Sequence, residues 1–121
     1  MSYEITYDAE RDCIVTRIDG WLDVPVAKDF LAELARVIST SGCERILEDL
    51  RGAELMLSMV DLYFASQMPS EVGIPPAIKS AIVVAEEDRR KYSFLETVAR
   101  NRGRIVGVFS DPDEASRWLM E

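Results

Sequence analysis

Acidic and polar side chains stand wherever a predicted strand of this chain gives way to a helix. Paired carboxylates can perform general acid–base chemistry when one pKa is raised, and clustered carboxylates are ligands that Mg²⁺ and Ca²⁺ prefer. These residues are Asp19, Asp23, Glu48, Asp49, Arg51, Glu86, Glu87, Asp88, Ser110 and Asp111. Every helix start supplies such residues, because they cap the helix and complement its dipole. We therefore interpret them as helix caps and first-turn acids, and we predict no catalytic residue, no metal site and no cofactor.

Ser58 stands three residues before Asp61, ahead of an apolar segment. A Ser and an acidic residue at this spacing indicate a helix start, because each side chain can bond a free backbone N–H of the other. Ser58 is therefore predicted to cap a helix whose buried face is formed by Val60, Phe64, Ala65 and Met68.

Large apolar side chains crowd the same region. They are Leu55, Met56, Leu57, Met59, Tyr63, Phe64 and Met68. Core packing explains such residues most simply. Met also adapts to many partner shapes, so the alternative is a binding face for a protein or a lipid tail. That candidate binding face consists of Trp21, Met56, Met59, Tyr63 and Phe64.

Composition excludes several classes of function. The chain has 121 residues, a net charge of −8 and no His, so it is predicted to be one domain that does not bind nucleic acid. Without His, triads that use His as the base are excluded. Cys13 and Cys43 are far apart and predicted to be free thiols. No apolar run reaches membrane-spanning length, and no signal peptide is evident, so we expect a cytoplasmic protein.

Strand and helix patterns alternate along the chain. Strands are predicted at 3–8, 13–20, 45–50, 80–85 and 104–110. Four helices are predicted, one after each strand except the first, with Asp23, Ser58 and Asp111 as caps of the first, second and fourth. Gly103 is placed to end the third helix, and Pro69 is predicted to lie in a turn that is not helical. Alternating elements predict an α/β fold, a parallel five-stranded sheet whose hairpin-linked first strand is antiparallel, flanked by four helices.

Four segments carry a family resemblance that covers nearly the whole chain. They are IDGWLD, ILEDLRG, SAIVVAEED and VFSDPDEASRWL. In these segments and in element order the chain resembles the STAS superfamily, and within it the SpoIIAA-like (STAS/SEC14) proteins. The resemblance implies a single SpoIIAA-like domain over residues 1–121 that acts as a regulatory, protein-binding module and not as an enzyme.

The resemblance also bears on Ser58. In anti-anti-sigma members, a Ser at the start of the helix after the third strand is phosphorylated, and this changes partner binding. Here the loop 51–57 departs from the family motif, so Ser58 is expected first as a cap, with a phosphorylation switch as the alternative. The SEC14-like label implies a second function, a carrier or sensor of a small apolar or lipid-like ligand. A homodimer is a further open alternative.

Overall fold

A mixed β-sheet forms the centre of this protein, whose computed structural model describes residues 2–121. The strands are β1 (Ser2–Asp8), β2 (Cys13–Leu22), β3 (Arg45–Asp49), β4 (Ala53–Leu55), β5 (Lys79–Val83) and β6 (Ile105–Phe109). The helices are α1 (Val24–Ser41), α2 (Met59–Ala65), α3 (Met68–Glu71), α4 (Arg89–Asn101) and α5 (Pro112–Leu119), with a 3₁₀ turn at Glu86–Asp88.

The order of strands across the sheet is β1-β2-β3-β5-β6. β1 runs antiparallel to β2, and every other pairing in the described sheet is parallel. The predicted fold class is therefore confirmed, because the five predicted strands and four predicted helices are present in the predicted orientation. The apolar run at 81–84, in and just after β5, is explained by this arrangement, since helices cover both faces of the strand.

Strand alternation divides the apolar residues into two cores. Ile14 and Ile18 of β2 belong to the larger core, which lies between the sheet and the helices α1 and α4. Cys13 of β2 belongs to the smaller core, where Ala115 and Leu119 of α5 pack on the opposite face. Each buried Ile or Leu contributes roughly 1.5–3 kcal/mol, so the larger core supplies most of the driving force for folding.

Two short elements are additions to the predicted set. β4 continues the sheet beyond β3 by pairing with the end of β2, where Gly20 lies opposite Ala53. α3 includes Pro69 in its first turn, so the prediction of a non-helical turn at Pro69 is wrong. Proline is tolerated there because the first backbone N–H groups of a helix have no partner within it.

The predicted caps position the long helices. The Val26 backbone N–H donates to the Asp23 carboxylate at 3.0 Å, and the Asp113 N–H donates to Asp111 at 3.0 Å. Gly103 follows α4 with φ of 85°, a left-handed conformation that glycine adopts without strain. These caps set where α1 and α5 begin and where α4 ends.

Candidate functional site

Ser58 caps α2 through reciprocal hydrogen bonds. The Asp61 backbone N–H donates to the Ser58 hydroxyl at 3.1 Å, and the Ser58 N–H donates to the Asp61 carboxylate at 3.0 Å. This is the capping box that the spacing predicts, and it fixes the direction in which α2 leaves the preceding loop. The Ser58 residue is itself exposed to solvent.

α2 presents its larger apolar side chains to solvent. Val60 is 64% exposed and Phe64 is 56% exposed, so the prediction that these two residues face the core is wrong. Leu62, only 1% exposed, faces the core instead. Positions on a helix advance by about 100°, which places Leu62 on the side opposite the exposed arc. We define the α2 face as Met56, Met59, Val60, Tyr63 and Phe64, which are all exposed.

Four of the predicted binding residues lie in or just before α2. Trp21 lies on β2 next to Leu22, which faces the larger core, so the Trp21 side chain points to the opposite face of the sheet. Tyr63 and Phe64 contact each other edge to face, with ring centroids 5.4 Å apart. The Arg102 guanidinium lies 5.6 Å from the Tyr63 ring centroid, which places one positive charge at the border of the α2 face. Trp21 is 61% exposed and lies on β2, opposite Glu54 of β4.

A cavity of about 150 Å³ lies beneath α2, in the larger core. Its walls come from the sheet and from α1, α2 and α4, and they are mostly aliphatic. The apolar lining includes Leu22, Phe30, Leu34, Leu62, Ile82 and Ala99. A cavity of this volume in another protein holds one benzene molecule, so the space corresponds to about one six-membered ring.

Glu48 brings a carboxyl group to this apolar cavity. It lies two residues after Ile46 and two before Leu50, which directly follows β3, so its side chain points to the same face of the sheet as theirs. Burial raises the pKa of Glu48 to about 7, with no neighbouring charge or hydrogen bond contributing. Thr16 of β2 lies directly opposite Glu48 in the strand register, and it is fully buried.

Tyr92 of α4 also lines the cavity and is 2% exposed. In the described part of the chain, neither the Tyr92 hydroxyl nor the Thr16 hydroxyl has a hydrogen-bond partner. Burial raises the pKa of the Tyr92 phenol, and the charges of Asp88 and Glu48 raise it further. Glu48 and Tyr92 thus bring two polar groups to the same cavity.

Adjacent carboxylates on β3 do not form a working pair. Asp49 points away from Glu48, because successive side chains of a strand alternate between faces. The Arg51 guanidinium donates to Asp49 at 2.9 Å and lowers its pKa. The two groups therefore lie in different environments, Glu48 at an apolar cavity and Asp49 in a partly exposed ion pair.

The other acids at strand ends lie in separate local contacts. Asp19 pairs with Arg17 at 2.9 Å, while Asp23 and Asp111 cap helices. Over residues 2–121, no three Cys, Asp or Glu side chains come together as a metal site would require. No helix in that range is both long and apolar enough to cross a membrane.

Sequence reasoning missed Thr16 and Tyr92 as candidate site residues. Thr16 stands between Ile14 and Ile18, two residues of the larger core, so strand alternation could have placed it inside. Tyr92 shares a helical face with Leu95 and Ala99, both in or against the same core. The signal was therefore a polar side chain at a position that the strand or helix period assigns to the apolar core.

Comparisons with solved structures match the whole chain. An anti-sigma factor antagonist from Mycobacterium paratuberculosis superposes with a TM-score of 0.65 at 12% identity, over 99% of this chain and 96% of that one. The anti-sigma factor antagonist SpoIIAA in its unphosphorylated form superposes with a TM-score of 0.57 at 15% identity, over 98% and 97%. No family model and no curated protein matches the sequence. The chain therefore has the SpoIIAA-like fold that the resemblance implies.

Proposed function

We propose that this protein is a non-enzymatic regulatory module that binds another protein through the α2 face. The fold likeness to two anti-sigma factor antagonists supports a regulatory module of that kind. The carrying observation is the group of five large apolar side chains exposed side by side at α2. Contiguous exposed apolar surface marks interaction sites in soluble proteins, because leaving it in water costs free energy that docking recovers.

The composition of the α2 face suits a protein partner. Its side chains include Met, Tyr and Phe, types that are enriched where proteins meet. Arg102 at its border and Asp61 at the helix start can orient a partner through charge. The chemistry we expect on the partner is an apolar groove or ridge with a polar rim.

A surface variant tests the α2 face. Val60→Ser combined with Phe64→Ser removes two exposed apolar side chains and leaves the buried Leu62 in place. The matched control is Ile105→Ser, because Ile105 is also exposed but lies on β6. Proteins captured from a lysate of the source organism by the wild type and the control, but not by the double variant, define the partner. The purified partner should then bind the double variant at least tenfold more weakly by calorimetry, and the control within about twofold.

Two results would overturn this assignment. If a purified partner bound the double variant as tightly as the wild type, the α2 face would not take part in the interaction. If light scattering found a wild-type dimer and a monomeric double variant, the α2 face would be the contact between two copies of this chain. Unfolding midpoints of all three proteins establish that folding is intact.

Ser58 is the proposed control point of this module, because it is exposed and directly precedes the α2 face. A phosphate there would lie beside the Asp61 carboxylate, and the two negative charges would repel each other. Ser58→Asp mimics part of that charge, while Ser58→Ala removes the cap alone. A switch predicts that the two variants differ at least threefold in partner affinity while both stay folded. Equal affinities, with only Ser58→Ala losing stability, would leave Ser58 as a cap.

The lipid-carrier alternative is less well supported by the cavity. A space of about 150 Å³ holds about one ring, so a long acyl chain has no room in this conformation. Protein binding at the α2 face therefore stands as the conclusion.

A further inference from the structure

The cavity beneath α2 has a polar end that nothing in the described chain uses. The Tyr92 hydroxyl is buried without a partner, and Glu48 lines the same cavity. Two other polar side chains of the lining have partners. The Ser66 hydroxyl donates to the Tyr63 carbonyl at 2.6 Å, and the Arg104 guanidinium donates to the Ile74 carbonyl at 2.8 Å.

Unpartnered hydroxyl groups inside a protein need an explanation. Most buried polar groups in folded proteins have a hydrogen-bond partner, because water can no longer serve them. Replacing Tyr92 by Phe would remove this hydroxyl at nearly constant volume. Its presence beside a ring-sized, aliphatic space therefore points to a guest that completes its hydrogen bonding.

We propose that this cavity binds a small neutral ring compound that carries one O–H or N–H group. The apolar body of the guest would pack against Phe30, Leu34 and Leu62. Its polar end would pair with the Tyr92 hydroxyl and the Glu48 carboxyl. This site is separate from the α2 face and does not rest on it, because its residues point inward.

Size and charge define this class of guest. The volume admits about one ring with a small substituent. An ionised guest would lose its hydration in a space lined mainly by aliphatic side chains, a cost that a single hydrogen bond does not offset. A fully apolar guest would leave the Tyr92 hydroxyl and Glu48 unpaired. A neutral compound with one polar end satisfies all three conditions.

Phenol and toluene test the proposal as a matched pair. The two rings have the same number of heavy atoms and differ in a hydroxyl group against a methyl group. Titrations followed by amide chemical shifts should place phenol among the residues that line the cavity. Each affinity is first corrected for the partitioning of the compound from water into an apolar solvent. After this correction, we expect phenol to bind at least threefold more tightly than toluene, because a hydrogen bond changes affinity by about three- to tenfold.

Three variants locate the bound phenol. Tyr92→Phe keeps the ring and removes the hydroxyl, so it should weaken phenol about three- to tenfold and leave toluene within twofold. Ala99→Leu fills the space and should abolish the binding of both compounds. Glu48→Gln serves as a second polar variant in case Tyr92→Phe alters folding, and it should change phenol affinity while leaving toluene affinity within twofold.

The proposal has clear contrary outcomes. Equal binding of phenol and toluene in the wild type would mean a nonspecific apolar void. Failure of both to bind, with ordered waters on Tyr92 and Glu48 in a crystal structure, would mean a hydrated cavity only. If the α2-face double variant lost phenol binding while Tyr92→Phe kept it, phenol would bind at the surface and not in the cavity.

Discussion

Replacing Glu48 by Gln should stabilise the protein at pH 8 and change little at pH 5. Gln keeps the volume and the hydrogen-bonding ability of the side chain but cannot ionise. In the folded protein, burial raises the pKa of Glu48 to about 7 from its ordinary value of 4.5. The folded state therefore holds a proton that the unfolded state releases at lower pH.

The sign and size of this effect follow from linkage. Because the folded-state pKa is the higher one, the stability contribution is fully present below pH 4.5 and is lost as pH rises through about 7. Each pH unit is worth about 1.4 kcal/mol, so the full effect is about 3 kcal/mol, an upper value because water entering the cavity screens the charge. Between pH 5 and pH 8, the wild type should lose about 2 kcal/mol relative to Glu48→Gln.

Urea denaturation at pH 5, 6, 7 and 8, followed by circular dichroism, measures this difference. Other titrating groups are common to both proteins, so their contributions cancel in the comparison. The matched control is Asp49→Asn on the opposite face of β3. Arg51 lowers the pKa of Asp49, so that contribution is constant from pH 5 to pH 8 and is lost only in acid.

A stability difference between wild type and Glu48→Gln that is flat from pH 5 to pH 8 would refute the reasoning. It would mean that Glu48 is solvated in the folded state, as by a chain of waters. If the wild type instead lost stability relative to Glu48→Gln as the pH falls, Glu48 would have a cationic partner, which the described residues do not supply.

Further predictions concern single side chains and are measured as free energies of unfolding in urea. Tyr92→Phe should raise the stability of the ligand-free protein by about 1 kcal/mol, because it removes a buried hydroxyl that lacks a partner; a loss of 1 kcal/mol would show that a water serves it. Asp111→Ala should cost about 1 kcal/mol, since the Asp113 N–H loses its cap. Trp118→Ala should cost about 2 kcal/mol, less than for a fully buried Trp, because Trp118 is half-buried against Phe109 and Lys79. Unchanged unfolding in both variants would make α5 dispensable.

Much of the fold was predictable from local patterns. The apolar runs of β5 and β6, and the caps at Asp23 and Asp111, mark strands and helix starts by chemistry that acts over a few residues. β4 was missed because three residues are too few to show a period. Its pairing with β2 depends on where the long β2 strand extends beyond β3.

The orientation of α2 could not be predicted from its sequence. Six of the seven residues of the helix MVDLYFA are apolar, all except Asp61, so apolar residues surround most of its circumference. Which of them turn inward depends on the space that α1 and α4 leave. The same is true of the cavity, because the gap around Glu48 arises from how separate elements pack and has no sequence period of its own.

The shortness of α2 and α3 has a consequence for timing. Helices of seven and four residues do not persist by themselves in water, so this side of the cavity is held by a few inward contacts such as those of Leu62 and Met68. No hydrogen bond of the sheet has to break for these two helices to detach. Sub-global opening of this kind costs less than complete unfolding. The residence time of any guest would then be set by this local opening, and exchange could proceed while the sheet and its strand order stay intact.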